Sequence, residues 1–180
     1  LFELSTRVGA VVLAGGESRR FGRPKQLIPW GGKPLLAHVV DQVLASTLRI
    51  VIVVTGHEGE RVAKTVADRP VVVVHNPRWA AGLSTSVRAG IEALPADVQA
   101  ALFVMADQPN LTPGVIEALL RRYDETHAPI VVPLYGGQRG NPVLFDREMF
   151  PELERVEGDR GGRDLIEKYR PAVEFVEVGE

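Results

Sequence analysis

A chain of 180 residues that is 45% hydrophobic and 24% charged carries enough apolar side chain to bury a core without disulfides or a structural metal, and its length suits one domain spanning residues 1–180. The formal charge of -2, from 21 basic and 23 acidic residues, argues against bulk binding to nucleic acid or to a membrane surface. There is no cysteine, which excludes thiol redox chemistry and thiolate metal sites, and His38, His57, His75 and His127 lie too far apart to match a zinc spacing.

Residues 8–13 read as a buried strand that runs into Ala14-Gly15-Gly16. Pro34 opens a helix with Leu35, Leu36, Val39, Val40, Val43 and Leu44 on one face. A second strand covers 49–55, a short helix 60–67, a third strand 71–75, a helix 83–94 and a fourth strand 100–105, which stops just before Asp107. Thr112-Pro113 is an N-cap followed by proline at the first helical position, and that helix runs to about Tyr123. Short strands at 130–133 and 142–145 flank a glycine-rich loop, helices follow at 147–156 and 163–169, and a strand at 173–178 closes the pattern.

The apolar runs at 50–54 and 71–74 are too short to span a bilayer. The N-terminus lacks the basic start, apolar stretch and small-residue cleavage site of a secretory signal, so a cytoplasmic location is expected. Strands alternate with helices, and the strands are nearly continuous in apolar residues. This predicts an α/β fold of three layers, with a mostly parallel sheet and helices on both faces. Ligands of such sheets bind beyond the carboxyl ends of the strands, which directs attention to 14–25, 55–59, 75–86, 106–110 and 135–142.

The first of these segments is the most informative. Leu13-Ala14-Gly15-Gly16-Glu17-Ser18-Arg19-Arg20-Phe21-Gly22-Arg23-Pro24-Lys25 combines adjacent glycines, which let backbone N–H groups approach a phosphate, with four cations in seven residues. By itself Gly-Gly after a strand is more often an ordinary turn. Neither the P-loop spacing nor the dinucleotide fingerprint fits it. At the fourth strand, Met105-Ala106-Asp107-Gln108-Pro109 delivers a carboxylate to the sheet edge, either as a turn residue or as a metal ligand. His75-Asn76-Pro77 makes an X-Pro turn, and Gly82-Leu83-Ser84-Thr85-Ser86 opens a helix whose N-terminus suits an anion or a ribose. His57 reads as a surface loop histidine rather than a base. Two later loops, Gly136-Gly137-Gln138-Arg139-Gly140-Asn141-Pro142 and Gly158-Asp159-Arg160-Gly161-Gly162-Arg163-Asp164, join backbone freedom to arginines.

Taken together these motifs resemble the nucleotidyltransferases of GT-A-like fold, and within them the molybdenum cofactor nucleotidyltransferases, more closely the cytidylyltransferase branch. The resemblance covers essentially the whole chain and implies a Rossmann-like nucleotidyltransferase fold and a magnesium-dependent transfer. CMP would pass from CTP to the phosphate of molybdenum-molybdopterin, with release of pyrophosphate. It places the backbone of Leu13, Ala14, Gly15 and Gly16, together with Thr55, Gly56, Asn76, Gly82 and Ser84, at the nucleotide. Arg20 and Lys25 face the triphosphate, Asp107 and Asp159 the metal, and Arg139, Asn141 and Arg163 the acceptor. As catalytic residues it implies Lys25, Arg20 and Asp107. One departure is assigned to Gly16: Ala14-Gly15-Gly16 has the form of guanylyl members, where cytidylyl members usually have Ala-Ala-Gly, so GTP stands as the alternative nucleotide. The other readings are transfer to a different phosphorylated small molecule and a non-catalytic carrier of the cofactor. A molybdoenzyme or its maturation chaperone is the implied protein partner.

Overall fold

A computed structural model of the chain describes residues 4, 6–16 and 24–179. In chain order its elements are β1 (Val8–Ala14), a small hairpin of β2 (Pro29–Trp30) and β3 (Lys33–Pro34), α1 (Leu35–Leu44), β4 (Ile50–Thr55), α2 (Gly59–Lys64), β5 (Val72–His75), α3 (Leu83–Ala93), β6 (Ala100–Met105), α4 (Pro113–Thr126), β7 (Ile130–Tyr135), β8 (Gln138–Arg139), β9 (Val143–Asp146), α5 (Phe150–Arg155), α6 (Arg163–Lys168) and β10 (Glu174–Gly179).

The strands form one sheet in the order β10-β7-β9-β6-β1-β4-β5, with β8 pairing to β7. β5, β4, β1 and β6 are parallel neighbours, as are β10 and β7, and β9 runs antiparallel between β6 and β7. β1 is buried along its whole length because it has a strand on each side and helices over each face. Alternate residues therefore feed two cores. Val8, Ala10, Val12 and Ala14 pack with Leu36 and Val40 of α1 and Leu119 of α4, whereas Val11 and Leu13 pack with Val87 of α3, Leu153 of α5 and Ile166 of α6. The mostly parallel three-layer expectation is met.

Three local features differ from the pattern reading. The hairpin β2–β3 turns on Gly31 and Gly32, both at positive φ (59° and 83°), the geometry a tight two-residue hairpin requires. The helix expected over 147–156 is split into a 3₁₀ turn, Arg147–Met149, and α5. Pro151 supplies no N–H and its ring would clash with the carbonyl four residues back, so an α-helix cannot run through from 147. β5 is an edge strand, and it leaves Val72 and Val73 exposed, although its run of valines reads as near-continuously apolar.

From β1 the chain moves outward to β4 and β5, then returns to the other side of β1 as β6. The crevice beyond the carboxyl ends of β1 and β6 is thus the topological switch point of the sheet, where ligands of open α/β sheets bind.

Candidate active site

The register of β1 and β6 pairs Leu13 with Met105, and the Ala106 N–H donates to the Leu13 carbonyl at 3.2 Å. Ala14-Gly15-Gly16 and Asp107 therefore leave the sheet side by side. β4 sets Thr55 beside Ala14 on the other flank. Beyond these strand ends lies a cleft of about 400 Å³ walled by residues including Gly15, Gly16, Lys25, Trp79, Asp107 and Asp159.

The glycine loop is held by contacts that leave no room for a side chain at Gly15 or at the neighbouring Gly56. A Cβ on Gly15 would stand 2.8 Å from Ser86 Oγ, and one on Gly56 would stand 2.7 Å from the Gly15 carbonyl oxygen and 2.5 Å from Trp79 Cβ. The His57 N–H donates to that same Gly15 carbonyl at 3.3 Å. Buried Gln26 donates from Nε2 to the carbonyls of Ala14 (2.9 Å) and Gly16 (3.3 Å). It belongs to the 3₁₀ turn Lys25–Leu27, which brings Lys25 Nζ to 3.8 Å from Asp107 Oδ2. The two side chains are 37% and 40% exposed, so their attraction is screened by water and contributes little to stability. Its consequence is positional: opposite charges face each other across the cleft. Arg20 lies outside the described residues.

The next wall is the start of α3. Gly82 adopts a φ of 114°, and a Cβ there would lie 2.6 Å from the Gly158 carbonyl. The Ser84 N–H donates to Gly158 O at 2.9 Å, and the Leu83 N–H donates to Asp159 Oδ1 at 3.0 Å. Asp159 thus caps α3 across the fold, a favourable place for a carboxylate, while still facing the cleft.

Asn76 is buried and fully engaged: Nδ2 donates to Thr85 Oγ1 (2.8 Å) and Ser86 Oγ (3.0 Å), and Oδ1 accepts from the Arg78 N–H (2.9 Å). Of the residues expected at the nucleotide, Leu13, Ala14, Gly15, Gly16, Lys25 and Gly82 line the cleft, together with Asp107 and Asp159. Thr55, Gly56, Asn76 and Ser84 sit behind that wall, all but fully buried. The Ser84 hydroxyl has no hydrogen-bond partner among the described residues. Ser86 and Trp79 reach the cleft instead. Helical spacing holds the signal for Ser86, which is three residues from Leu83 and shares its cleft-facing side, while Ser84 is turned about 100° from Leu83. Nothing in the sequence singles out Trp79. The assignment of the Ala-Gly-Gly departure to Gly16 also needs correction. Aligning Ala-Ala-Gly on Ala14-Gly15-Gly16 puts the difference at Gly15, where a methyl would meet Ser86, whereas a Cβ on Gly16 meets nothing within 4 Å.

A second cleft of about 560 Å³ adjoins the first and is lined by Arg139, Asn141, Asp159, Arg160 and Arg163 over an apolar floor that includes Phe103 and Phe145. All three residues expected at the acceptor are therefore brought together. Arg139 is engaged by Glu167 at 2.5 Å. Asn141 is tied by its carbonyl, which accepts from Gln108 Nε2 at 2.7 Å and from the Tyr135 hydroxyl at 2.6 Å. Burial pushes the Tyr135 phenol pKa up. The two clefts share Leu13, Leu83, Met105 and Asp159.

The described residues hold no group of three or more His, Asp or Glu side chains arranged for a metal. Asp107 and Asp159 on one cleft nonetheless suit Mg²⁺, which takes one or two carboxylates and completes its octahedron with phosphate oxygens and water.

Residues 10–173 match the family model described as MobA-like NTP transferase domain. The chain belongs to this family. It is accordingly a nucleotidyltransferase domain. Among relatives, the molybdenum cofactor cytidylyltransferase of Escherichia coli (strain K12) is 28% identical over 78% of this chain and 70% of its own length. A probable molybdenum cofactor guanylyltransferase of Pyrococcus horikoshii is 32% identical over 82% and 74%. A nicotine blue oxidoreductase of Paenarthrobacter nicotinovorans is 26% identical over 96% and 88%. Against the bifunctional protein GlmU of Halorhodospira halophila identity is 40%, but the match spans only 24% of that longer protein. Among solved structures, Rv0371c of Mycobacterium tuberculosis H37Rv superposes with a TM-score of 0.83 at 29% identity, covering 98% of this chain and 90% of that one. The same protein has been solved in complex with manganese (TM-score 0.78, 28% identity, 97% and 90% covered). Among the described residues no helix is long and apolar enough to cross a membrane.

Proposed function

We propose that this chain transfers a nucleoside monophosphate from a magnesium-bound NTP to the terminal phosphate of molybdenum-molybdopterin and releases pyrophosphate, with CTP preferred. The observation that carries the reading is the junction of two clefts. One holds a glycine loop, Lys25 and Asp107; the other holds Arg139 and Arg163; Asp159 lies in both. Such a junction suits an α-phosphorus presented from one side and an acceptor phosphate from the other.

Asp107 and Asp159 are the residues that would hold the metal, which when bound neutralises charge on the α-phosphate. Lys25 offers a mobile point charge to the β- and γ-phosphates as negative charge builds during attack. Arg139 and Arg163 orient the acceptor phosphate, whose oxygen forms the new bond to the α-phosphorus. The bond from that phosphorus to the bridging oxygen breaks, and pyrophosphate leaves with the electron pair. No protein nucleophile is needed, because the acceptor is already an anion.

The preference for CTP follows the closer resemblance to the cytidylyl branch, and Ser86 offers the base a hydrogen-bond donor that cytosine and guanine could both use. Its Oγ accepts from the Asn76 amide, which can only donate, so the hydroxyl hydrogen is directed elsewhere. The residue faces the nucleotide cleft, where O2 or N3 of cytosine would accept that hydrogen. A second reading, GTP, is favoured by Gly15, since Ala14-Gly15-Gly16 has the guanylyl form. Direct competition between CTP and GTP, with molybdenum-molybdopterin as acceptor, decides between them. Predominantly cytidylylated product supports the proposal. Predominantly guanylylated product overturns the base preference and leaves the transfer standing, and ligand binding without pyrophosphate release would favour a carrier.

A further inference from the structure

The carboxylate loop and the acceptor loop are joined by hydrogen bonds that neither substrate makes. Gln108 follows Asp107 directly. Its Nε2 donates to the Asn141 carbonyl at 2.7 Å and lies 3.5 Å from the Tyr135 hydroxyl oxygen. The Tyr135 hydroxyl in turn donates to the same Asn141 carbonyl at 2.6 Å. These three groups close a small triangle between the end of β6, the end of β7 and the turn that enters β9. The amide orientation of Gln108 is set by chemistry: a carbonyl only accepts, so the nitrogen must face Asn141. Gln108 Oε1 is left buried and without a hydrogen-bond partner among the described residues, a cost the local fold bears to keep the donor in place. On the far side of the same loop the Pro109 carbonyl is 3.1 Å from His38 Nε2 of α1. The segment that follows Asp107 is therefore held at two consecutive residues, Gln108 and Pro109.

We propose that Gln108 and Tyr135 are positioning residues that set the distance between the acceptor phosphate and the metal-side carboxylate, so that the transfer step, and not nucleotide binding, depends on them. Neither residue lines the nucleotide cleft. The acceptor cleft is lined by Asn141 and by its neighbours Arg139 and Gly140, all on the loop the triangle holds. β8, which carries Arg139, has two residues and pairs with β7, and β9 joins β6 from Val143 onward, so the triangle adds a side-chain tie at Asn141 just ahead of that pairing. An ordinary phenol keeps its proton near neutral pH, and burial raises the Tyr135 pKa further, so the donor to Asn141 is present there. A displacement of about 1 Å between reacting groups costs on the order of 100-fold in rate.

This inference rests on the transfer reading above. The test compares wild type with Gln108→Leu, Gln108→Glu and Tyr135→Phe, using CTP, Mg²⁺ and molybdenum-molybdopterin. Leucine removes the donor at similar size, glutamate replaces it with a group that repels the Asn141 carbonyl, and phenylalanine removes only the hydroxyl. The expected result is a fall in kcat of about 10- to 100-fold for both Gln108 variants and a smaller fall for Tyr135→Phe. The KM for CTP should stay within about twofold, since a positioning defect acts on the transition state. In the free protein, Gln108→Leu should raise amide exchange at 106–111 and 136–141 together and leave β1 and α1 unchanged. Wild-type kcat in both Gln108 variants, or exchange that rises in one loop alone, would overturn the brace. If wild type itself releases no pyrophosphate, the transfer reading fails, and the exchange measurement still decides the brace by itself.

Discussion

The proposed chemistry would rest on few side chains, and two of them face each other at 3.8 Å: Lys25 and Asp107. Asp107 is exposed at the cleft, so its replacement is expected to remove little packing. Asp107→Ala should abolish transfer, with loss of more than about 100-fold in kcat, while the melting temperature changes little. Turnover near wild type at saturating Mg²⁺ would remove Asp107 from the metal site. Lys25→Ala should lower kcat more than it raises the KM for CTP, because a charge aimed at the leaving pyrophosphate acts mainly in the transition state; a pure KM effect would show that Lys25 only holds the triphosphate. Gly15→Ala places a methyl 2.8 Å from Ser86 Oγ, and it should shift the CTP-to-GTP ratio of kcat/KM by about 10-fold or more, in line with a methylene-sized change in a pocket. At this scale the sequence was a good guide to charged and glycine positions, because a glycine loop, a lysine and an aspartate at strand ends announce themselves by residue type. It was a poor guide to Gln26, Trp79, Ser86 and Gln108. Their roles arise from contacts made across distant segments, such as Gln26 with the Ala14 carbonyl, and residue type does not report such contacts. Asn76 and Ser84 show the converse: the motif was recognised, but helix phase and hydrogen bonding turn both side chains behind the cleft wall.

At the scale of elements, α3 is the piece most exposed to a single change. It begins at Gly82 with φ 114°, and its first two N–H groups are capped by the Gly158 carbonyl and by Asp159. Gly82→Ala adds both a strained backbone angle and a methyl 2.6 Å from Gly158. It should cost about 1–3 kcal/mol and loosen Asp159, which chemical denaturation and the nucleotide KM would read together; unchanged stability would show that the 158–159 strap yields easily. The long elements were legible because their apolar periodicity is decisive over six or more residues. α1, β4, β6 and α4 fall within a few residues of expectation, and Thr112 caps α4 as its type suggests, accepting from the Val115 N–H at 3.2 Å. The short pieces were not. β2, β3 and β8 have two residues each, too few for any period to show, although Gly31-Gly32 does carry a hairpin signal. The split at Pro151 was also present as a residue type and was overridden by the surrounding helical pattern.

For the whole molecule, the two cores share the same sheet, since alternate residues of β1 belong to each. We infer that residues 1–180 behave as one domain, so thermal unfolding should give a single transition whose calorimetric and van't Hoff enthalpies agree; two separated transitions would divide it. The packing of α1 against the turn after α2 is reinforced by Asp41, which accepts from Arg69 Nε at 2.9 Å and from Lys33. The Arg69 hydrogen bond holds the Asp41 carboxyl below the usual carboxylate range, against the opposing effect of burial. A depressed folded-state pKa contributes stability that is present above the unfolded value and is lost as pH falls through the folded one. Asp41→Asn should therefore destabilise the protein at pH 7 and converge with wild type in strong acid. A constant difference across that range would exclude the ion pair as the cause. The central claim concerns the meeting of the two clefts, and acceptor-dependent pyrophosphate release tests it most directly. With CTP and Mg²⁺, pyrophosphate should appear only when molybdenum-molybdopterin is added, in equal amount to a product heavier than the acceptor by one CMP unit. Pyrophosphate release that ignores the acceptor, or none with any NTP, would contradict the account.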